Sequence, residues 1–143
     1  MNDKMFHIVA LQETWLNANN SLSFPNYNFV RSDRKSNSQN PHGGVAFLVS
    51  KDIHFKVIKP ITLSSIEAIF ISVTSGAFTF TLGSIYSPSS LKRFEAKEDL
   101  GKIFNIRGPL VLMGDWNAKH QFWNNVQSNG KGTDLKELAL SRL

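Results

Sequence analysis

The spacing of apolar side chains along the first two thirds of the chain predicts β-strands. Some runs are continuously apolar, which is typical of buried strands, and others alternate with polar residues, which predicts one face in water. The last two runs flank Ser75 and Gly76, a pair typical of a hairpin turn. We therefore expect an antiparallel meander with one face against a core. The predicted strands are 6–11, 43–50, 53–57, 66–74 and 78–86.

After Pro88 the apolar residues recur every three to four positions, which predicts an amphipathic helix. The run 109–113 then predicts another buried strand, and Asp134, with Glu137 three residues on, is expected to cap a last helix. This order of elements predicts an α/β (α+β) fold, a layered sandwich of mostly antiparallel sheets with flanking helices. The helical stripe after Pro88 consists of Ala96, Leu100, Ile103 and Phe104.

The composition fits one compact domain over residues 1–143. Of the 143 residues, 41% are hydrophobic, and a chain of this size buries about two thirds of its unfolded surface. No apolar stretch approaches the roughly 20 residues of a membrane span, and the N-terminus lacks the apolar core of a signal peptide. The chain has no cysteine, which excludes disulfides and thiolate metal sites. We expect an intracellular protein without a membrane partner.

The net charge of +5 favours polyanionic partners, but the basic residues are scattered along the chain. On charge alone, an ordinary solvated surface is the better interpretation. The densest basic group borders the polar segment 36–42, and a smaller one lies at Lys92 and Arg93. The candidate nucleic-acid contacts are Arg31, Arg34, Lys35 and Lys119.

Polar residues with metal-binding chemistry follow two of the apolar runs. Asp115 and Asn117 come after the run 109–113 at a spacing of two, which puts both side chains on one face of an extended chain. Glu13 follows the first run in the same way. Such oxygen ligands suit Mg²⁺ or Mn²⁺ better than zinc. Taken singly, Asp and Asn are also common turn formers, and Glu13 beside Thr14 would suit the start of a helix.

Four blocks of the sequence occur in an order typical of one protein family. They are LQETWL at 11–16, RSDRKSNSQNPHGGVAFLVS at 31–50, GSIYSPSS at 83–90 and GDWNAKHQFW at 114–123. With a weaker block at 65–73, they resemble the endonuclease/exonuclease/phosphatase superfamily, and within it the apurinic-endonuclease-like domain of non-LTR retrotransposons. The resemblance implies a four-layer α/β sandwich that hydrolyses phosphodiester bonds in DNA with Mg²⁺ or Mn²⁺.

The same resemblance assigns roles to polar residues of this sequence. Glu13 would bind the metal ion, Asp115 would position and activate water, and Asn117 would hold the phosphate. Tyr86 would contact the scissile phosphate, although a tyrosine at a strand end is also typical of packing with its hydroxyl at the rim. His120 matches a histidine often found in the retrotransposon block, and a structural role is equally compatible with it. Glu13, Asp115 and Asn117 are expected to meet around one divalent ion.

Parts of the family pattern are missing from this sequence. The family places a phosphate-site asparagine on an earlier strand, and Asn2 is too close to Glu13 to serve. It also closes with a Ser-Asp-His block, whereas this chain has no histidine after His120. We therefore expect a fold incomplete at both termini and a weak or inactive nuclease. Unpaired sheet edges would favour self-association or a partner.

Three functions are compatible with the sequence. The first is a Mg²⁺-dependent DNA-nicking endonuclease domain of a mobile element, located in the nucleus when it acts on DNA. The second is a non-catalytic module of the same fold that binds nucleic acid or protein. The third is a phosphatase or phosphodiesterase for a small phosphorylated substrate, against which the blocks at 31–50 and 114–123 argue. We favour the first.

Overall fold

The computed structural model of the protein describes residues 6–35 and 42–142, so that Asn2 and most of the segment 36–42 lie outside these ranges. Within them the chain forms seven β-strands, two α-helices and one 3₁₀ helix, and none of these helices is long and apolar enough to cross a membrane. The strands are β1 (Ile8–Gln12), β2 (Tyr27–Ser32), β3 (Val45–Ser50), β4 (His54–Val57), β5 (Glu67–Ser75), β6 (Phe78–Tyr86) and β7 (Leu110–Asp115). The helices are α1 (Arg93–Phe104), α2 (Gly130–Leu140) and the 3₁₀ helix Gln121–Trp123.

The described residues group into two compact units. The first unit contains both β-sheets and the second contains both α-helices. The first comprises 6–35, 42–60, 67–86 and 108–114, and the second comprises 61–66, 87–107 and 115–142. The expectation of a single domain over 1–143 stays a prediction.

The two sheets of the first unit share one hydrophobic core. One sheet has the strand order β1-β3-β2 and the other β4-β5-β6-β7. β3 is almost continuously buried, which explains its unbroken apolar sequence. The α/β arrangement of two mostly antiparallel sheets predicted from the sequence is confirmed. The core side chains are Val45, Phe47, Val49, Ile69, Ile71, Val73 and Leu82.

The strand β2 was not predicted from the sequence. Its sequence, YNFVRS, has Phe29 and Val30 as its only aliphatic or phenyl side chains, between polar residues, so that its apolar signal is weak. It pairs antiparallel with β3, for example Phe29 opposite Leu48. Among the described residues the outer strands are β1 and β2 in one sheet and β4 and β7 in the other. Self-association through such edges stays a prediction.

β7 runs parallel to β6. The N–H of Thr81 donates to the carbonyl of Pro109 over 2.9 Å, and the N–H of Ser87 donates to the carbonyl of Asp115 over 2.8 Å. Residue numbers rise by the same amount between the two bonds on both strands, as in a parallel pair. The chain between β6 and β7 contains α1 and therefore forms a crossover connection.

The second unit is built on the contact between α1 and α2. Ala96, Leu100 and Ile103 are buried, as their spacing predicted. The prediction that Asp134 caps α2 is wrong. Asn129 is the N-cap, and its Oδ1 accepts a hydrogen bond of 2.8 Å from the N–H of Gly132. The glycines at 130 and 132 hide this helix start from sequence patterns, because glycine is a poor helix former.

Asp134 instead lies buried inside the second unit, where it pairs with α1. Arg93 donates two hydrogen bonds of 2.8 Å to its carboxylate, and the ammonium of Lys97 lies 3.6 Å away. Asp99 of α1 is also buried, and its carboxylate accepts hydrogen bonds from three successive backbone N–H groups at residues 64–66. The two helices are therefore held by ionic contacts as well as by their apolar stripe.

Candidate active site

Glu13 lies directly after β1 in a constrained backbone segment. Its φ angle is +50° and that of Trp15 is +53°, a region that residues other than glycine rarely adopt. The N–H of Thr14 donates to Gly44 over 3.2 Å and that of Trp15 to Gly43 over 2.8 Å, and these bonds hold the segment. No helix begins here, so the helix-start interpretation of Glu13 is wrong. Such strained residues cluster at functional sites.

The Glu13 carboxylate is exposed and contacts two ring systems. It accepts a hydrogen bond of 3.2 Å from the indole N–H of Trp15, and it is near enough to the hydroxyl of Tyr86 to act on the pKa of that group. Burial and the Glu13 carboxylate raise the pKa of Tyr86, and the charge of Glu67 adds a smaller rise. The charge of Arg34 opposes the rise. Tyr86 therefore stays protonated at neutral pH and is a hydrogen-bond donor.

Glu67 is a neighbour of this group that the sequence analysis missed. It begins β5 opposite Tyr86, and its Oε2 accepts a hydrogen bond of 2.5 Å from the N–H of Gly44. Its Oε1 forms an ion pair with the guanidinium of Arg34. Gly43 and Gly44 have φ angles of +65° and +89°, which glycine adopts without strain, and a Cβ atom at Gly43 would lie 2.5 Å from Oε1. The glycine pair at 43–44 was the one feature of the sequence that indicated a close approach of another side chain to the backbone at this point.

The basic residues proposed from the sequence have different surroundings. The guanidinium of Arg34 is paired with Glu67, and that of Arg31 donates to the carbonyl of Asn17 over 3.0 Å and lies 3.4 Å from Asp33. Lys35 and Lys119 are exposed. Nucleic-acid binding by these four residues, Arg31, Arg34, Lys35 and Lys119, stays a prediction.

In the second unit, Asp115 and Asn117 form a tight turn after β7. Oδ1 of Asp115 accepts a hydrogen bond of 3.0 Å from the N–H of Asn117, whose φ angle is +45°. The side-chain amide of Asn117 donates to the carbonyl of Ser87 over 3.1 Å. The turn-forming interpretation therefore describes the local geometry. These two hydrogen bonds do not use Oδ2 of Asp115 or the second amide hydrogen of Asn117.

Asn129 fixes this turn from the start of α2. Its amide donates to the carbonyl of Asn117 over 3.1 Å, and its Oδ1 accepts from the N–H of Lys119 over 3.0 Å. Its own N–H donates to the carbonyl of Lys119 over 2.8 Å. A Cβ atom at Gly132 would lie 1.9 Å from that carbonyl oxygen, so only glycine permits the approach.

Lys131 is a buried cation next to this turn, and the sequence analysis missed it. The residue is 8% exposed, and its ammonium donates to the carbonyl of Pro88 over 2.8 Å and lies 3.5 Å from the hydroxyl of Ser87. Burial lowers its pKa, and the Asp115 carboxylate opposes that shift. The second unit thus holds a carboxylate, an amide and a cation near Ser87.

His120 has a structural role in its surroundings. Its Nδ1 accepts a hydrogen bond of 3.0 Å from the N–H of Phe122 and so caps the 3₁₀ helix. Its ring centroid lies 5.5 Å from that of Trp123, whose indole donates to the carbonyl of Ala118 over 3.1 Å. A catalytic role for His120 stays a prediction.

The oxygen donors are compatible with a hard divalent cation. Within 6–35 and 42–142 no group of three or more His, Asp or Glu side chains is arranged to hold a metal ion. Mg²⁺ commonly binds proteins through one or two carboxylates, with water and substrate phosphates as the other ligands. The exposed carboxylate of Glu13 fits that type of site. The expected meeting of Glu13 with Asp115 and Asn117 around one ion stays a prediction.

The sequence matches the model of the Endonuclease/Exonuclease/phosphatase family over residues 2–136. The chain therefore belongs to this family, as its four sequence blocks predicted. The endonuclease domain of TRAS1, a telomere-specific non-LTR retrotransposon, has the same fold, with a TM-score of 0.73 over 94% of this chain and 59% of that chain, at 19% sequence identity.

Proteins of mobile elements are among the relatives in sequence. The chain is 22% identical over 139 residues, or 96% of its length, to the RNA-directed DNA polymerase from mobile element jockey of Drosophila melanogaster. It is 26% identical over 137 residues, or 95% of its length, to the probable RNA-directed DNA polymerase from transposon BS of the same species. The chain spans 15% of the length of each of these relatives. The predicted similarity to non-LTR retrotransposons is confirmed.

Proposed function

We propose that this chain is the endonuclease domain of a non-LTR retrotransposon and hydrolyses phosphodiester bonds in DNA with Mg²⁺ or Mn²⁺. Its family and its mobile-element relatives support this reaction class. The observation that carries the proposal is the hydrogen-bonded turn of Asp115 and Asn117, which holds a carboxylate beside an amide. Since such an element acts on chromosomal DNA, we propose the nucleus as its place of action.

In the second unit, Asp115 is proposed to take the proton of the attacking water. The turn uses Oδ1, so that Oδ2 is the oxygen proposed to act as the base. Asn117 has two amide hydrogens, and one of them is bound by the carbonyl of Ser87. The other is proposed to donate to a phosphate oxygen. The fixed amide would then stabilise charge as it develops on the phosphate.

In the first unit, Glu13 is proposed to hold the cation and Tyr86 to donate to a phosphate oxygen. The position of Tyr86 beside Glu13 supports this role, because a phenol is protonated at neutral pH and can donate a hydrogen bond. When bound, the cation supplies positive charge to a nonbridging phosphate oxygen. The strained φ angle of Glu13 supports a functional role for its orientation.

Nicking of supercoiled plasmid tests this proposal. With Mg²⁺ the chain is expected to convert supercoiled DNA to the open circle slowly, in keeping with the weak activity expected from the sequence, and a chelator is expected to abolish the conversion. Asp115→Asn and Glu13→Gln should each lower the rate by about a hundredfold or more. Asp52→Asn, which removes an exposed carboxylate in the turn before β4, is the matched control and should nick at the wild-type rate. Nicking that resists the chelator, or that both variants retain, would refute the proposal.

A further inference from the structure

The chain between Lys119 and Asn129, here the 119–129 loop, is closed at its base. The two residues pair through both backbone and side chain: the N–H of Asn129 donates to the carbonyl of Lys119 over 2.8 Å, and Oδ1 of Asn129 accepts from the N–H of Lys119 over 3.0 Å. Compact surface loops with ends in contact are frequently functional. This loop begins two residues after Asn117.

The loop presents one aromatic ring to water on a rigid support. Phe122 is 63% exposed, although it lies in the 3₁₀ helix that His120 caps. Its ring meets that of Trp123 edge to face, with centroids 6.2 Å apart, and Trp123 is anchored to the carbonyl of Ala118. Near the loop's end Val126 is 91% exposed. A single exposed ring is ordinary on a protein surface. The charges near Phe122 therefore have to indicate which class of partner it could bind.

Those charges are positive. From 116 to 133 the sequence has no Asp or Glu, while it contains Lys119, Lys131 and several amide side chains. The ammonium of Lys136 lies 5.9 Å from the centroid of the Phe122 ring. The acidic residue that ends this stretch, Asp134, is buried and paired with Arg93. Glu137, next to Lys136 in the sequence, is exposed, but the 119–129 loop itself has no acidic residue, and this composition favours a polyanionic partner.

An aromatic ring beside a lysine ammonium, in a loop that begins at another lysine, suits a nucleic-acid strand better than a protein. Lysine is depleted in protein–protein interfaces. Proteins that bind single strands stack bases on aromatic side chains while cations follow the backbone. The side chains at 121, 124, 125 and 127 are amides, which also bind bases and phosphates.

We propose that the 119–129 loop binds an unpaired nucleotide of the DNA substrate. Phe122 stacks on its base, and the ammonium groups of Lys119 and Lys136 contact the phosphates on either side. The inference rests on the proposed function, because the loop is proposed to bind the DNA strand in which the phosphodiester bond is hydrolysed. It adds a substrate preference: the protein selects DNA in which a base near the cleavage site is unstacked.

Binding of a fluorescein-labelled 12-nucleotide oligothymidine, measured by anisotropy with chelator present, tests the stacking contact without any cleavage. Phe122→Ala is expected to weaken binding by about 5- to 150-fold, because stacking on an aromatic side chain contributes about 1–3 kcal/mol per base. Phe122→Leu keeps apolar volume and should weaken it almost as much, whereas Phe122→Trp should bind at least as tightly as wild type. The matched control is Phe94→Ala, since Phe94 is 79% exposed on α1 and should leave affinity within twofold.

The dependence of affinity on salt concentration distinguishes the contribution of the Phe122 ring from that of the lysine ammonium groups. Lys119→Met and Lys136→Met should each reduce the slope of log affinity against log salt by about 0.7, whereas Phe122→Ala should leave the slope unchanged. Wild-type affinity in Phe122→Leu, or an equal loss in Phe94→Ala, would overturn the proposal. Asp115→Asn should retain binding while it loses nicking. If no nicking occurs but the Phe122 dependence persists, the proposed function fails and the preference near a cleavage site fails with it, while binding of an unpaired nucleotide by the 119–129 loop stands.

Discussion

The ammonium nitrogen of Lys131 lies 2.8 Å from the carbonyl oxygen of Pro88, inside the second unit. Only 8% of the residue is exposed, so that the cation is held largely by neutral oxygens. Asp115 acts on it at longer range. Because the side-chain amide of Asn117 donates to the carbonyl of Ser87 over 3.1 Å, the segment bound by Lys131 is also bound by the turn of Asp115 and Asn117.

The free energy of unfolding should therefore rise with pH through Lys131. Burial lowers the pKa of Lys131 from its ordinary 10.5. Between the lowered value and 10.5 the unfolded chain binds more protons than the folded one, so stability increases with pH in that window. Denaturant unfolding from pH 7 to 10.5 should show wild type gaining stability relative to Lys131→Met. Parallel curves for the two proteins would contradict this.

The ion pair of Asp134 with Arg93 is expected to stabilise the contact between α1 and α2. Asp134→Asn should lower the free energy of unfolding by about 1.5–3 kcal/mol at pH 7, the usual size of hydrogen bonds to a charged group. The hydrogen bonds of Arg93 lower the pKa of Asp134, so this stabilisation is present above the ordinary value of 3.8 and is lost as pH falls through the lowered pKa. Wild type and Asp134→Asn should thus converge in strong acid. A difference that persists there would show that the pair is not its source.

Asp99 is expected to contribute strongly to the free energy of unfolding, although it lies in a segment of mostly charged residues. Its buried carboxylate accepts from the backbone of Ser64, Ser65 and Ile66. Asp99→Ala leaves these donors without their acceptor and should cost about 3 kcal/mol or more in chemical denaturation. Glu98→Gln, which changes an exposed carboxylate one residue earlier, should change stability by less than about 0.5 kcal/mol. Equal effects of the two substitutions would argue against this role for Asp99.

The titration of Tyr86 reports its contact with Glu13. Burial is the largest cause of the raised pKa of Tyr86, and the hydrogen bond and charge of Glu13 come next. Glu13→Gln should lower this pKa, though not to the ordinary value of 10.0, because burial remains. The chain has two tyrosines, so NMR of labelled tyrosine in metal-free buffer can follow Tyr86 in a Tyr27→Phe background. The pKa should stay unchanged in Asp52→Asn, and an unchanged value in Glu13→Gln would mean that the contact is absent in solution.

Sequence patterns predicted the parts of this fold whose signals are local. The continuous apolar run of β3 and the spacing of Ala96, Leu100 and Ile103 each follow from the element's own geometry. The cap of α2 was misassigned because Asp134 and Glu137 imitate a capping box. In the structure Asp134 is drawn to Arg93 instead, 41 residues earlier in the chain.

The site was predicted less fully than the fold, because part of it depends on contacts between residues that are far apart in the sequence. Asp115, Asn117 and Glu13 follow strands directly, so that they stand out in the sequence. Glu67 and Lys131 do not, because their partners are distant: Gly44 is 23 residues from Glu67, and Ser87 is 44 residues from Lys131. Only the folded chain brings such pairs together.

The most direct test is a double-mutant cycle on DNA nicking with Mg²⁺, in which Glu13→Gln and Asp115→Asn are compared singly and together. If both residues act in one reaction on one phosphodiester bond, each single variant loses about a hundredfold or more in rate, and the double variant loses little beyond the worse single variant. Losses that multiply in the double variant, or a wild-type rate in either single variant, would contradict that account.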